Sequence, residues 1–262
     1  MCQLLGMNCN IPTDICFSFA GFRTRGGMTD QHRDGWGIAF FEGLGCRVFI
    51  DTTPASDSPV AQLVHDYPIR SCNVIAHIRK ATQGEVALHN THPFCRELWG
   101  RYWIFAHNGT LKDLVLPPPR WYRAVGNTDS ERAFCHLLDV LRERFGDSAP
   151  PPDAFLPVLA ERTAELATYG VFNYMLSNGE ALFAHCATQL SYVTRRAPFG
   201  AAHLLDQDVT VDFSAVTTPN DVVTVIATLP LTDNERWTTI APSELVMFRD
   251  GERAASLPTI AR

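Results

Sequence analysis

A chain of 262 residues with 46% hydrophobic and 19% charged positions has room for one or two domains around a large core and is too apolar to be disordered. Its 22 basic and 28 acidic residues leave a net charge of -6, which excludes the broad basic field that nucleic acid or an anionic membrane surface would attract. No apolar run reaches the roughly 18 residues of a membrane helix, no leader pattern opens the sequence, and the cysteines are scattered, so a cytoplasmic protein with reduced thiols is expected.

The first apolar run, Cys2 to Met7, reads as a strand. WGIAFF (Trp36 to Phe41) and CRVFI (Cys46 to Ile50), joined by a turn-like Glu-Gly-Leu-Gly, read as a hairpin. Ser58 followed by Pro59 caps a short helix through Val60 and Val64. CNVIAHI (Cys72 to Ile78) and YWIFAH (Tyr102 to His107) are buried strands, the second stopping at the turn dipeptide Asn108-Gly109. Thr128 stands three residues before Glu131 as in a capping box, and Phe134, Leu137, Leu138, Leu141 and Phe145 recur at helical spacing up to Gly146. A second helix covers Ala154 to Tyr169. VFNYMLS, the Asn178-Gly179 turn and ALFAHC form another hairpin, and strands follow at 190–195, 209–213, 222–228 and 244–249, the last entering an Asp250-Gly251 turn.

Antiparallel hairpins flanking two central helices argue for an α+β architecture, one domain over 1–262, and against a doubly wound parallel sheet. The proline runs 117–119 and 150–152 read as surface loops. Cys9, Cys16, Cys46, Cys72, Cys135 and Cys186 read as small core residues.

Cys2 carries the chemistry if Met1 is removed, because one residue then presents both a thiol and a free α-amine. The amine's reference pKa of about 7.7 to 8.0 lies near the thiol's roughly 8.5, so it is suited to take the thiol proton. AHIRKATQG (Ala76 to Gly84) presents Arg79, Lys80, Thr82 and Gln83 after a strand, HNTHPF (His89 to Phe94) follows, and FAHNGTL (Phe105 to Leu111) contains Asn108 and Gly109. An Asn side-chain amide and a neighbouring backbone N–H can together face a developing oxyanion. Asp34-Gly35-Trp36-Gly37 reads as a turn entering a strand, without chemistry of its own.

In this order MCQLLGM, HRDGWGIAFF, AHIRKATQG, NTHPF, FAHNG and NTDSE resemble the class II glutamine amidotransferases of the N-terminal-nucleophile (Ntn) hydrolase superfamily, most nearly the stand-alone YafJ-type members. The motifs span residues 1 to about 131. The resemblance implies a four-layer αββα sandwich with two stacked antiparallel sheets between helical layers. It implies Cys2 as nucleophile with its own amine as base, Asn108 and Gly109 as oxyanion hole, Arg79 on the α-carboxylate of glutamine with Thr82 and His92 around the pocket, and Asp129 on the α-ammonium. Lys80 departs from the Trp, and Gln3 from the Gly, that many fused members carry there.

The implied reaction converts glutamine to glutamate and ammonia through a cysteinyl γ-glutamyl thioester, with no cofactor or metal. The partners implied are glutamine or another γ-glutamyl amide and an ammonia-accepting protein. Three alternatives stand beside it: a hydrolase of a γ-glutamyl thio-compound or glutathione-like peptide, a catalytically silent regulatory subunit, and a zinc module built on His89, His92 and Cys95.

Overall fold

The computed structural model describes residues 2–81, 84–215 and 217–260. The first half runs β1 (Gln3–Thr13), α1 (Cys16–Thr24), β2 (Trp36–Glu42), β3 (Gly45–Asp51), α2 (Pro59–Asp66), β4 (Ser71–Ile78), β5 (Phe94–Leu98), β6 (Arg101–Leu111) and α3 (Asp129–Phe145). The second half runs α4 (Pro152–Ala167), β7 (Gly170–Ser177), β8 (Leu182–Cys186), β9 (Ser191–Arg196), β10 (Ala201–His203), β11 (Thr210–Asp212), β12 (Val222–Ala227), β13 (Thr238–Thr239), β14 (Glu244–Arg249) and β15 (Glu252–Pro258).

Two large antiparallel sheets result. One has the order β13-β9-β12-β1-β4-β2-β3 and the other β15-β14-β8-β7-β6-β5. The period-two alternation of each strand sorts its apolar side chains into separate layers. On β1, Leu4 points between the sheets with Ile75, Ile104, Ala106 and Met175, while Leu5 and Met7 point outward onto Phe19 and Phe22 of α1. On β6, Ile104 and Ala106 enter the inter-sheet layer, and Trp103 and Phe105 face Phe134 of α3 and Phe155 of α4. Three apolar layers between four structural layers make the αββα sandwich that the resemblance implied.

The α3 start bears out half of the expected capping box. Thr128 Oγ1 accepts from Glu131 N at 3.2 Å, but the Glu131 carboxylate turns away to take the N–H groups of Val125 and Gly126 and the Arg96 guanidinium. Other expectations are corrected. The strand through Tyr102 does not stop at Asn108-Gly109 but pairs with β7 as far as Leu111, because Asn173 and Phe172 continue the ladder. Pro152 opens α4 rather than lying in a loop, where a missing N–H costs nothing. Of the cysteines read as core, Cys9, Cys135 and Cys186 are buried, whereas Cys16, Cys46 and Cys72 are half-buried. No described helix is long and apolar enough to cross a membrane.

Candidate active site

The N-terminal end of β1 lies beside the C-terminal end of β4 in its own sheet and opposite β6 of the facing sheet, and both of those strands carry motifs. Gln3 pairs with Ile78 on β4, so Cys2 reaches the residues that leave that strand. Its Sγ accepts from Lys80 N at 3.2 Å and donates to Lys80 O at 3.4 Å, which clips the thiol to one peptide unit. From the facing sheet, Asn108 Nδ2 donates to the Cys2 carbonyl at 2.6 Å. Cys2 and Asn108 thus meet across the gap between the sheets, with the chain of Arg79 and Lys80 alongside.

Burial pushes the Cys2 thiol above its ordinary pKa, with the Lys80 N–H and the Arg79 charge opposing. The thiol is therefore protonated at neutral pH and needs a base to become a nucleophile.

Asn108 is itself held from behind. Asn173 Nδ2 donates to its carbonyl at 3.0 Å and to Thr188 Oγ1 at 2.9 Å, while Asn173 Oδ1 accepts from the N–H groups of Ala187 and Thr188. Gly109 is required by packing, because a Cβ there would collide with the Val171 carbonyl of β7.

Arg79 is buried and its backbone is fixed by Gly35, whose carbonyl accepts Arg79 N at 2.8 Å. Asp34 Oδ2 accepts from Ala81 N at 2.7 Å, and Asp34 N donates to the Arg79 carbonyl. The guanidinium donates to the carbonyls of Glu85 at 2.9 Å and Gly84 at 3.3 Å. That loop is tied onward, since Asn90 Nδ2 donates to Glu85 O and to Asn127 Oδ1, and Asn127 N donates to Asn90 Oδ1. Asn127 leads into α3, so one polar chain runs from Arg79 to the helix start that carries Asp129.

Asp129 is buried, and its Oδ2 accepts from Leu111 N at 2.6 Å, which docks α3 onto the end of β6. His107 beside it contacts Ser130 Oγ through Nδ1 at 2.8 Å and the Val171 carbonyl through Nε2 at 3.0 Å. A carbonyl only accepts, so Nε2 carries the proton and Nδ1 accepts from the serine.

A family model for class II glutamine amidotransferases matches residues 1–261. The chain belongs to that family. It is 57% identical over 253 residues to YafJ of Escherichia coli (strain K12), covering 97% of this chain and 99% of that one. The crystal structure of a predicted glutamine amidotransferase from Pseudomonas aeruginosa PA01 superposes with a TM-score of 0.78 at 50% identity, over 97% of this chain and 99% of its own. A more distant relative, the γ-glutamyl-hercynylcysteine sulfoxide hydrolase of Mycobacterium tuberculosis, is 30% identical over 153 residues, 57% of this chain and 63% of that one.

Within this class II amidotransferase, the structure brings Cys2, Arg79 and Asn108 together, sets Gly109 next in line, and joins Asp129 to them through the 84–90 loop. Thr82 lies outside the described residues. His92 is buried with its ring between His77 and Phe94, at centroid distances of 4.3 and 4.4 Å. Among the described residues, no three His, Cys, Asp or Glu side chains are grouped to hold a metal, and the zinc reading fails on its own members: His89 is exposed beside Glu85, whereas Cys95 packs against the inter-sheet layer. The sequence reading missed Asp34, Asn90, Asn127 and Asn173. Asn173 had a visible signal, a lone amide inside an apolar strand run, and Asp34 had none beyond its motif.

Proposed function

We propose that this chain hydrolyses the side-chain amide of glutamine to glutamate and ammonia, with Cys2 as nucleophile and the α-amine released by loss of Met1 as its base. The observation that supports this most is that Cys2 is held between the two sheets, its thiol by the Lys80 peptide and its carbonyl by the Asn108 amide. In the first step the amine takes the thiol proton and sulfur attacks the amide carbon. The oxygen of the tetrahedral intermediate is held by Asn108 Nδ2 and Gly109 N–H. The protonated amine then gives its proton to the departing ammonia, leaving a γ-glutamyl thioester that water hydrolyses as the amine again accepts a proton. Arg79 grips the α-carboxylate by parallel hydrogen bonds, and Asp129 takes the α-ammonium, with Thr82 and His92 around the same pocket.

The similarity to a hydrolase that acts on a γ-glutamyl thio-compound supports a second reading, in which the amide is a γ-glutamyl derivative larger than glutamine. Arg79 and Asp129 keep their roles there, because both read only the glutamyl end. An ammonia-accepting partner belongs to the first reading alone. Trimmed protein incubated with glutamine, and separately with a γ-glutamyl peptide, is expected to release glutamate from glutamine faster. Glutamate release that is unchanged by Cys2→Ala overturns both readings.

A further inference from the structure

The inter-sheet layer is apolar for most of its length, but its end beside Cys2 is not. His77 follows Ile75 by two residues on β4 and so shares its face, and Asn108 follows Ala106 by two on β6. The two side chains enter the gap from opposite sheets. His92 stacks on His77 from the loop before β5. His77, His92 and Asn108 are each at most 4% exposed. Yet both ring nitrogens of His92 and Oδ1 of Asn108 have no hydrogen-bond partner among the described residues, and the His77 ring has only the nearby backbone of His107.

This many under-partnered polar atoms on three buried side chains at one end of the inter-sheet layer ask for an explanation, because buried polar atoms in folded proteins are nearly always paired. Packing does not supply one, since Leu4, Ile75 and Phe94 surround the site and an apolar side chain would satisfy them. A metal ion does not fit, because no third His, Cys, Asp or Glu side chain among the described residues joins the two rings. A charged ligand does not fit either. Burial first, then His107 and Arg79, push the His77 pKa down to about 3, and burial with His77 holds His92 well below its ordinary value. Both rings are neutral, so each offers one N–H and one lone pair, and Asn108 Oδ1 offers lone pairs only. With the His77 N–H directed at the His107 backbone, the three acceptors and the free His92 N–H suit a small neutral molecule that both donates and accepts.

We infer that His77, His92 and Asn108 Oδ1 form a site for a buried water, and that through this water the imidazole pair fixes the plane of the Asn108 amide. One N–H of that amide is already committed to the Cys2 carbonyl. The other faces a developing oxyanion only while the plane is held, and Oδ1 is the handle by which it is held. His77 and His92 are then positioning residues for chemistry at Cys2. The positioning half of this inference rests on the proposed amidase reaction, whereas the water site stands apart from it.

Two measurements on the full-length, Met1-trimmed chain test it. Water-to-imidazole cross-relaxation by NMR is expected to show long-lived water at His77 and His92 in the parent protein, and loss of that signal in His77→Leu. His77→Leu and His92→Leu are expected to keep the parent's melting temperature within about 2 °C, since an apolar side chain replaces an under-partnered polar one. In His77→Leu kcat for glutamate release falls about 10- to 100-fold with KM nearly unchanged, as for loss of one oriented oxyanion donor. His77→Gln, which keeps a donor and an acceptor, is expected to recover part of that loss. No water signal in the parent overturns the site. An unchanged kcat, or a kcat loss that tracks a fallen melting temperature, overturns the positioning role. A parent that shows the water but releases no glutamate retires the amidase reading and leaves the water site in place.

Discussion

Cys2 is a thiol that its surroundings make less acidic, and that fixes what its activation must look like. Burial raises the folded pKa, so at neutral pH the sulfur is protonated, and alkylation by iodoacetamide is expected to be slow and to rise only in the alkaline range while Met1 is attached. Removal of Met1 places a titrating amine on the same residue, and the alkylation midpoint is expected to move toward the amine's range of about 7.7 to 8.0. Identical midpoints before and after trimming argue against the amine as base. The neighbouring requirement is steric. Gly109→Ala drives a Cβ into the Val171 carbonyl, so β6 must pull away from β7 just where Asn108 is positioned. We expect a loss of about 3 kcal/mol or more in urea denaturation, together with loss of glutamate release.

At the scale of elements, the site is a set of strand ends that loops tie together. Asp34 and Gly35 hold the backbone of 79–81 from the β2 side, although nothing in the motif's spacing assigns them this work. Asp34→Ala leaves Ala81 N without its acceptor and frees the loop behind Arg79, and we expect KM for glutamine to rise about tenfold with a smaller change in kcat. An unchanged KM means that the loop is held by its other bonds. Glu131 performs the same service on the α3 side. It is buried, and its carboxylate joins Arg96 to the N–H groups of Val125 and Gly126. Removing it leaves the half-buried Arg96 cation without its counter-charge and those two N–H groups without their acceptor, and Glu131→Ala is expected to cost about 3 kcal/mol in urea denaturation.

These two residues also show what the sequence made legible. Periodicity found α3, α4 and the hairpins because local patterning determines them, and the ordered motifs found Cys2, Arg79 and Asn108. Periodicity missed α1, whose N-cap Ile15 makes no side-chain capping bond, and it ended β6 too early because Asn-Gly is locally a turn. Only pairing with Phe172 and Asn173, more than 60 residues away, keeps that dipeptide extended. Asp34, Asn90 and Asn127 were out of reach for the same reason. Their bonds join segments far apart in the chain, Asp34 to Ala81 and Asn90 to Asn127, which no local spacing reveals.

At the scale of the whole molecule, the sandwich holds several histidines in the neutral state. Burial pushes His77 down to about 3 and His185 down to about 4, and it also lowers His92, His107 and His136. In the unfolded chain each returns to about 6.5. Between the folded and unfolded values the unfolded state binds more protons, so stability is full above about pH 6.5 and declines as pH falls. His203 works in the opposite direction beside Asp233 and Asp208, but it lies at the surface and is screened by solvent. Each histidine that protonates only on unfolding contributes a slope of about 1.4 kcal/mol per pH unit, so His77, His92 and His185 together give about 4 kcal/mol per unit once the pH is well below 6.5. Carboxylates with lowered values, such as Asp51 and Glu235, add their losses at lower pH, which leaves the interval from about 6.5 to 5.5 to the histidines. Urea midpoints measured across that interval are expected to fall steeply while the native circular dichroism spectrum stays unchanged. A midpoint that holds constant from pH 7 to 5.5 means that these imidazoles already carry protons in the folded protein, and a charged His77–His92 pair is incompatible with the neutral water site beside Asn108.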